Sequence, residues 1–161
     1  MAAPLPQLID EDVQEFHRCL HGLLDTTGAC IAVVVDVGGF IVSQCGQEDQ
    51  FDLTTLAALG AAAFAANEEM AKIIEEPKFS SAYQQGENYS LLVNSIDDCC
   101  HLLIIFKSDI SVGAVKYHTM PAITQIAEQL RKSRERAPDE SLDLSSLNLA
   151  DTKDVFRKKE P

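Results

Sequence analysis

Residues 52–74 read DLTTLAALGAAAFAANEEMAKII, and the way this run divides among its faces decides the fold. Between residues 56 and 66 it carries seven alanines, one glycine and no charge. Asp52 is placed to cap a helix and Pro77 to stop it. On a helical wheel, Leu56, Leu59, Ala63, Met70, Ile73 and Ile74 fall on one stripe, which the pattern assigns to a sheet. Ala58, Ala61, Ala62, Ala65, Glu69 and Lys72 fall on the far side. Leu53, Gly60, Phe64 and Ala71 lie on a flank between the two. A far side facing only water is expected to carry Lys, Glu or Gln over its middle turns, and here it carries alanine. Small residues let a second backbone approach closely, so this side reads as a surface for another molecule and the Gly60/Phe64 flank as one for a symmetry mate. Propensity is the competing explanation, because alanine is the best helix former.

Outward from this helix the chain alternates. A helix is expected over 10–24, with Asp10 as N-cap, an apolar face of Val13, Phe16, Leu20, Leu23 and Leu24, and Gly28 just past its end. ACIAVVVD (29–36), a turn at 37–39 and FIVSQ (40–44) form a hairpin whose first strand is apolar on both faces. After the long helix, FSSAYQQ (79–85), YSLLVNS (89–95) and CCHLLIIF (99–106) form a three-strand meander. Its first strand is thin and polar, as edge strands tend to be. A last helix is expected over 111–134, with a kink or break at Pro121. Five antiparallel strands apolar on both faces need helices on both sides. The fold class is therefore α/β, a three-layer sandwich with the long helix on one face of the sheet and the terminal helices on the other. The expected organisation is an N-terminal extension (1–9), one domain (10–134) and a polar, flexible tail (135–161) with a short helix near its end.

Composition narrows the function. With 161 residues, 46% of them apolar, the chain can build one full core. The net charge of −12 argues against nucleic acid and anionic membrane surfaces, which need clustered Lys and Arg. No apolar run is long enough to span a bilayer, and the first residues lack a signal-peptide layout. The five cysteines are odd in number and hold no CxxC pair, so they read as buried thiols in a reducing, cytoplasmic compartment.

The search for chemistry finds little. His17 and His21 stand four apart on the first helix, but Arg18 replaces the glutamate of an HExxH site and no third ligand follows. Cys100 and His101 are neighbours on a strand and so point to opposite faces, which excludes a nucleophile–base pair between them. Phosphate loops of the GxxxxGK[ST] or GxGxxG type are missing. No catalytic residue, cofactor or metal is expected, and a binding module is the leading class. The polar edge strand at 80–85 offers a second dimer contact, through Ser81 and Tyr83.

Three stretches, VVVDVGGFIVSQCG, DLTTLAALGAAAFAANEEMAKII and HLLIIFKSDISVGAVKYH, together with the order of elements, resemble the Roadblock family of small dimeric domains, in its bacterial MglB-type branch. The resemblance covers roughly residues 10 to 132. It implies a homodimer joined through the central helices and third strands, with Leu53, Gly60, Phe64, Ala71, Ser81 and Tyr83 at the interface. It also implies that one face of the dimer binds a small Ras-like GTPase of the MglA type, in cell polarity or motility. Hydrolysis would be stimulated by repositioning the GTPase's own residues, without an arginine finger. By position the GTPase face is Ala58, Ala61, Ala62, Ala65, Glu68, Glu69 and Lys72; Glu68 and Glu69 depart from the small residues of the family pattern. Val155 and Phe156 of the tail resemble a segment that docks on the GTPase. The alternative within the family is a non-catalytic adaptor dimer that scaffolds a motor or polarity complex.

Overall fold

A computed structural model describes residues 4–136. The chain runs α1 (Asp10–Thr27), β1 (Ile31–Asp36), β2 (Ile41–Gly46), a short 3-10 turn (Glu48–Gln50), α2 (Leu53–Ile73), β3 (Ser81–Gln85), β4 (Tyr89–Ser95), β5 (Cys100–Lys107) and α3 (Val112–Glu135). The strands make one antiparallel sheet in the order β2-β1-β5-β4-β3. β1 and β5 are neighbours inside that sheet, which explains their continuous apolar runs. Alternation then sorts the side chains. Ala32, Val34, Leu102, Ile104 and Phe106 face α1 and α3, where Phe16, Leu20, Val115, Ile126 and Leu130 close the larger core. Ile31, Val33, Val35, Leu103 and Ile105 face α2. The three-layer architecture expected from the strand pattern is the one observed.

The ends of the helices follow from short-range chemistry. Asp52 caps α2 by accepting from Thr55 N at 3.1 Å, and Ser111 caps α3 through Ala114 N at 3.4 Å. In α1 the cap lies one residue earlier than the sequence suggested, at Ile9. The carboxylate that completes it is Asp12, which accepts from Ile9 N at 2.9 Å. Asp12 is fully buried and also receives both arms of the Arg136 guanidinium at 3.0 Å and Gln129 Nε2 at 2.7 Å. This knot pins the end of α3 beside the start of α1. Burial alone would raise the Asp12 pKa, but the Arg136, Ile9 and Gln129 donors outweigh it and hold the carboxyl well below its ordinary value.

Two expectations are corrected. Of the kink or break expected at Pro121, the break does not occur: the last helix is continuous from Val112 to Glu135. Pro121 is exposed, as is Tyr117, whose carbonyl loses its helical donor, so water can take that bond. The second correction concerns the faces of α2. Leu53, Gly60 and Phe64, expected at a dimer interface, meet the sheet together with Ala57, while Ala71, expected with them, and Ala61, expected on the partner face, are buried along one edge of that contact. Leu59, Met70, Ile73 and Ile74, expected on the sheet, are 61, 51, 81 and 64% exposed, and Ala63 is exposed with them. The reason is steric. The sheet surface under α2 is already filled by β-branched and leucine side chains, so the helix turns its small residues inward. A Cβ on Gly60 would lie 2.6 Å from Leu103 Cδ2, which shows how closely the backbone is seated.

Candidate partner-binding site

Because α2 buries the Ala57/Gly60/Phe64 stripe, helical period places Ala58, Ala61, Ala65, Glu68 and Lys72 together on one flank. Across from that flank stand the turn between β4 and β5, the chain following α2, and Val37 of the first hairpin. Between them is a cleft of about 570 Å³. Ala61, Ala65, Glu68 and Lys72 line it, so four of the residues predicted for the partner face share one concavity. Ala58 sits on the same flank but meets the first hairpin instead. Gly39, at φ +87°, crosses it so closely that a Cβ there would come within 2.7 Å of Ala58 Cα. Ala62 and Glu69 are exposed outside the cleft. Val155 and Phe156 lie outside the described residues.

The opposite wall carries groups that the sequence reading did not select. Lys78 pairs with Asp98 at 3.2 Å, while on the helix Lys72 pairs with Glu69 at 2.6 Å. Asp97 accepts from Cys99 N and Cys100 N at 2.9 Å and from Arg134 at 2.6 Å. Burial pushes its pKa up, and the Arg134 and backbone donors bring it below the ordinary value. Glu68, half-buried, makes no ion pair among the described residues.

At the base of the cleft is His101. It lies on the α2 face of β5, with its ring centroid 4.4 Å from that of Phe64, and only 4% of its surface is exposed. Its Nδ1 has no hydrogen-bond partner. Burial holds the imidazole pKa below its ordinary value, which keeps the ring neutral. One signal for it was present in the sequence, a polar side chain inside CCHLLIIF, a strand apolar on both faces. Cys100 lies on the other face, in the core under α1 and α3.

Other candidate chemistry resolves into structure. His17 Nδ1 bonds to the Gln44 carbonyl at 3.0 Å and His21 contacts Asp25 at 3.0 Å, so each helix histidine has its own partner. Asp97, Cys99 and Cys100 bring three ligand-type atoms within 4.8 Å of one another. Asp97 is already engaged by Arg134 and two backbone N–H groups, and Cys99 Sγ stands 2.8 Å from the same guanidinium. The trio closes the turn. All five cysteines are buried and none is in a disulfide. On β3, the outermost strand, Ser81 and Tyr83 are half-buried, and Tyr83 stacks on Phe106 at 6.3 Å. No described helix is long and apolar enough to cross a membrane.

Two surfaces thus share one helix: a cleft flank of small and charged residues, and an outer face of exposed leucine, methionine and isoleucine. The Roadblock/LC7 domain model matches residues 16–106, more than half of the chain, and the chain belongs to that family. Among solved structures it is similar to MglB. Myxococcus xanthus MglB is 25% identical, with a TM-score of 0.74 over 79% of this chain and 96% of that one. The gliding protein MglB of Thermus thermophilus is 27% identical, with a TM-score of 0.74 over 81% and 98%. An MglB with a tetrameric arrangement is 27% identical, with a TM-score of 0.75 over the same shares. Comparison with curated protein sequences gives no match.

Proposed function

We propose that this chain is a homodimeric regulator of a small Ras-like GTPase, of the MglA type, in cell polarity or motility. Two copies pack through the outer face of α2, and the edge strand β3, with Ser81 and Tyr83, extends the contact. The dimer presents the cleft flank to the GTPase. The observation that carries this reading is the exposure of Leu59, Met70 and Ile73 on a helix whose other flank opens into a cleft. A contiguous apolar face of this kind marks an interaction surface. The likeness to MglB structures, one of them tetrameric, supports assembly through such a face.

Stimulation of hydrolysis follows from positioning. No arginine lies on α2, and none lines the cleft among the described residues, so this surface offers no guanidinium of theirs to the transferring phosphoryl group. What it offers is a close-fitting rigid flank. Ala61 and Ala65 let a partner element approach the helix backbone, and the two-sided packing of the sheet fixes that flank in place. Pushing the GTPase's own water-orienting and charge-stabilising groups into line lowers the barrier without new chemistry.

The test is single-turnover GTP hydrolysis by an MglA-type GTPase with increasing amounts of this protein. A rise in rate that saturates is expected. A flat rate at saturating protein overturns the activating role, and binding that is equal for GTP and GDP forms would assign an adaptor instead.

A further inference from the structure

We propose that the tip of the first hairpin, residues 37–40, belongs to the partner-docking surface, and that the Phe40 ring is its anchor, inserted into an apolar depression of the docked GTPase. This rests on the reading that a GTPase docks on the cleft flank of α2. Between β1 and β2 the turn reads VGGF, with no polar side chain, where hairpin turns favour Asn, Asp and Gly. Val37 is 40% exposed and Phe40 74%. Single exposed apolar side chains are ordinary, and what distinguishes Phe40 is how its turn is held. The Asp36 carboxylate accepts from Phe40 N at 2.8 Å, Asp36 O accepts from Gly39 N at 2.9 Å, and Asp36 N donates to Phe40 O at 2.9 Å. Val37 N donates to Cys99 O at 3.0 Å, which ties the turn to the residue before β5. On the other side Gly39 rests on the Ala58 backbone. The ring lies beside Gly38, where a Cβ would stand 3.4 Å from Phe40 Cδ2.

The turn is thus braced between the two walls of the cleft, and Val37 lines the cleft with Ala61 and Ala65. An aromatic side chain on a backbone already fixed has little freedom to lose on binding, which suits it to carry a large share of an interface. The chemistry of the tip selects its occupant. The N–H groups of Val37, Gly39 and Phe40 already donate within the protein, and the Asp36 carboxylate stands beside them, so this glycine turn is no cradle for phosphate. The Phe40 side chain has no hydrogen-bonding atom, so its complement is apolar. A second copy packed through the outer face of α2 lies to one side of the tip. Ala58, on which the turn rests, is about 100° around the helix from Leu59, toward Ala61 and Ala65. An element that approaches Ala65 from outside therefore meets the hairpin tip as part of the same surface.

The experiment titrates the full chain with an MglA-type GTPase held in its GTP form, comparing wild type with Phe40→Ala and Phe40→Leu. Truncating an aromatic anchor to alanine is expected to weaken binding about thirtyfold, with Phe40→Leu recovering most of the loss and added sodium chloride leaving the ratio unchanged. The urea midpoint and the light-scattering mass of the free protein are expected to stay as they are, because the side chain is largely exposed. Binding by Phe40→Ala within about twofold of wild type overturns the proposal. A lowered urea midpoint also overturns it, by making Phe40 part of the fold, and a smaller assembly overturns it by giving the tip to a second copy. Shielding of the Phe40 ring from a soluble nitroxide, seen by NMR of the free full chain, overturns it in favour of residues 137–161 of the same chain. Wild-type protein that binds the GTPase and leaves hydrolysis flat removes the activating role and leaves the anchor standing, whereas wild-type protein that does not bind removes both.

Discussion

Replacing Gly60 by alanine separates the two possible orientations of α2. On an outward-facing position the change would stabilise, since alanine is better than glycine in a helix interior by about 1 kcal/mol. Here the new methyl carbon would stand 2.6 Å from Leu103 Cδ2 and 3.3 Å from its Cγ, and Leu103 is itself buried between the helix and the sheet. Overpacking of this kind costs about 1–3 kcal/mol, so it outweighs the propensity gain and leaves a net loss of up to about 2 kcal/mol. Leu103→Ala removes the obstructing side chain at its own cost of about 2–5 kcal/mol. In that background Gly60→Ala is expected to become neutral or stabilising. Urea unfolding of the four proteins at one fixed concentration gives the coupling energy. Additivity to within about 0.5 kcal/mol would mean that the two side chains do not meet and that α2 is seated the other way round.

Three further predictions use different parts of the molecule. Ile73→Asp places a charge on the exposed apolar face and is expected to shift the protein to monomer in light scattering, with its far-ultraviolet circular dichroism unchanged. Ala65→Arg fills the cleft flank and is expected to abolish GTPase binding in a titration while leaving the oligomer intact, since Ala65 is exposed and outside the apolar face. Asp12→Asn breaks an ion pair whose carboxylate is buried and whose Arg136 partner is partly exposed, and is expected to cost up to about 3 kcal/mol in urea unfolding at neutral pH. The Asp12 carboxyl is depressed from an ordinary value of 3.8, so its contribution is fully present above that pH and is lost as pH falls further toward the folded-state value. The gap between wild type and Asp12→Asn should therefore narrow below about pH 4, and a constant gap would assign the loss to packing.

The order and spacing of the elements were legible because each rests on local chemistry. Strands β1 and β5 announce their interior places by being apolar on both faces, and Asp52 and Ser111 cap the helices where side-chain oxygens stand before apolar periods. The start of α1 shows the limit of such reading. Three acidic residues in a row, Asp10, Glu11 and Asp12, stand at the start of the helix, and the one that closes the cap at Ile9 is Asp12, which Arg136 and Gln129 reach from the far end of the described chain. No pattern within the first helix carries that information. His101 shows the reverse case: a local anomaly, one polar side chain in an apolar strand, whose meaning emerged only once the cleft above it was in place.

The faces of α2 were misassigned for a reason that applies to any small-residue helix on a sheet. Amphipathic analysis gives bulk to the core, on the assumption that the helix supplies the filling. When the facing strands are rich in Val, Ile and Leu, the filling comes from the sheet and the helix must be thin to sit down. Phe64 is the one large side chain in the middle of α2 that enters that layer, beside His101, and Gly60 one turn earlier makes a close approach at Leu103. Bulk is then left for the outside, where Leu59, Met70 and Ile73 remain uncovered in the single chain. The same thinness leaves a step between helix and sheet at the β4–β5 turn, and that step is the cleft that Glu68 and His101 line. One steric requirement, close seating on a β-branched sheet, thus produces both the exposed apolar face of α2 and the recess beside it.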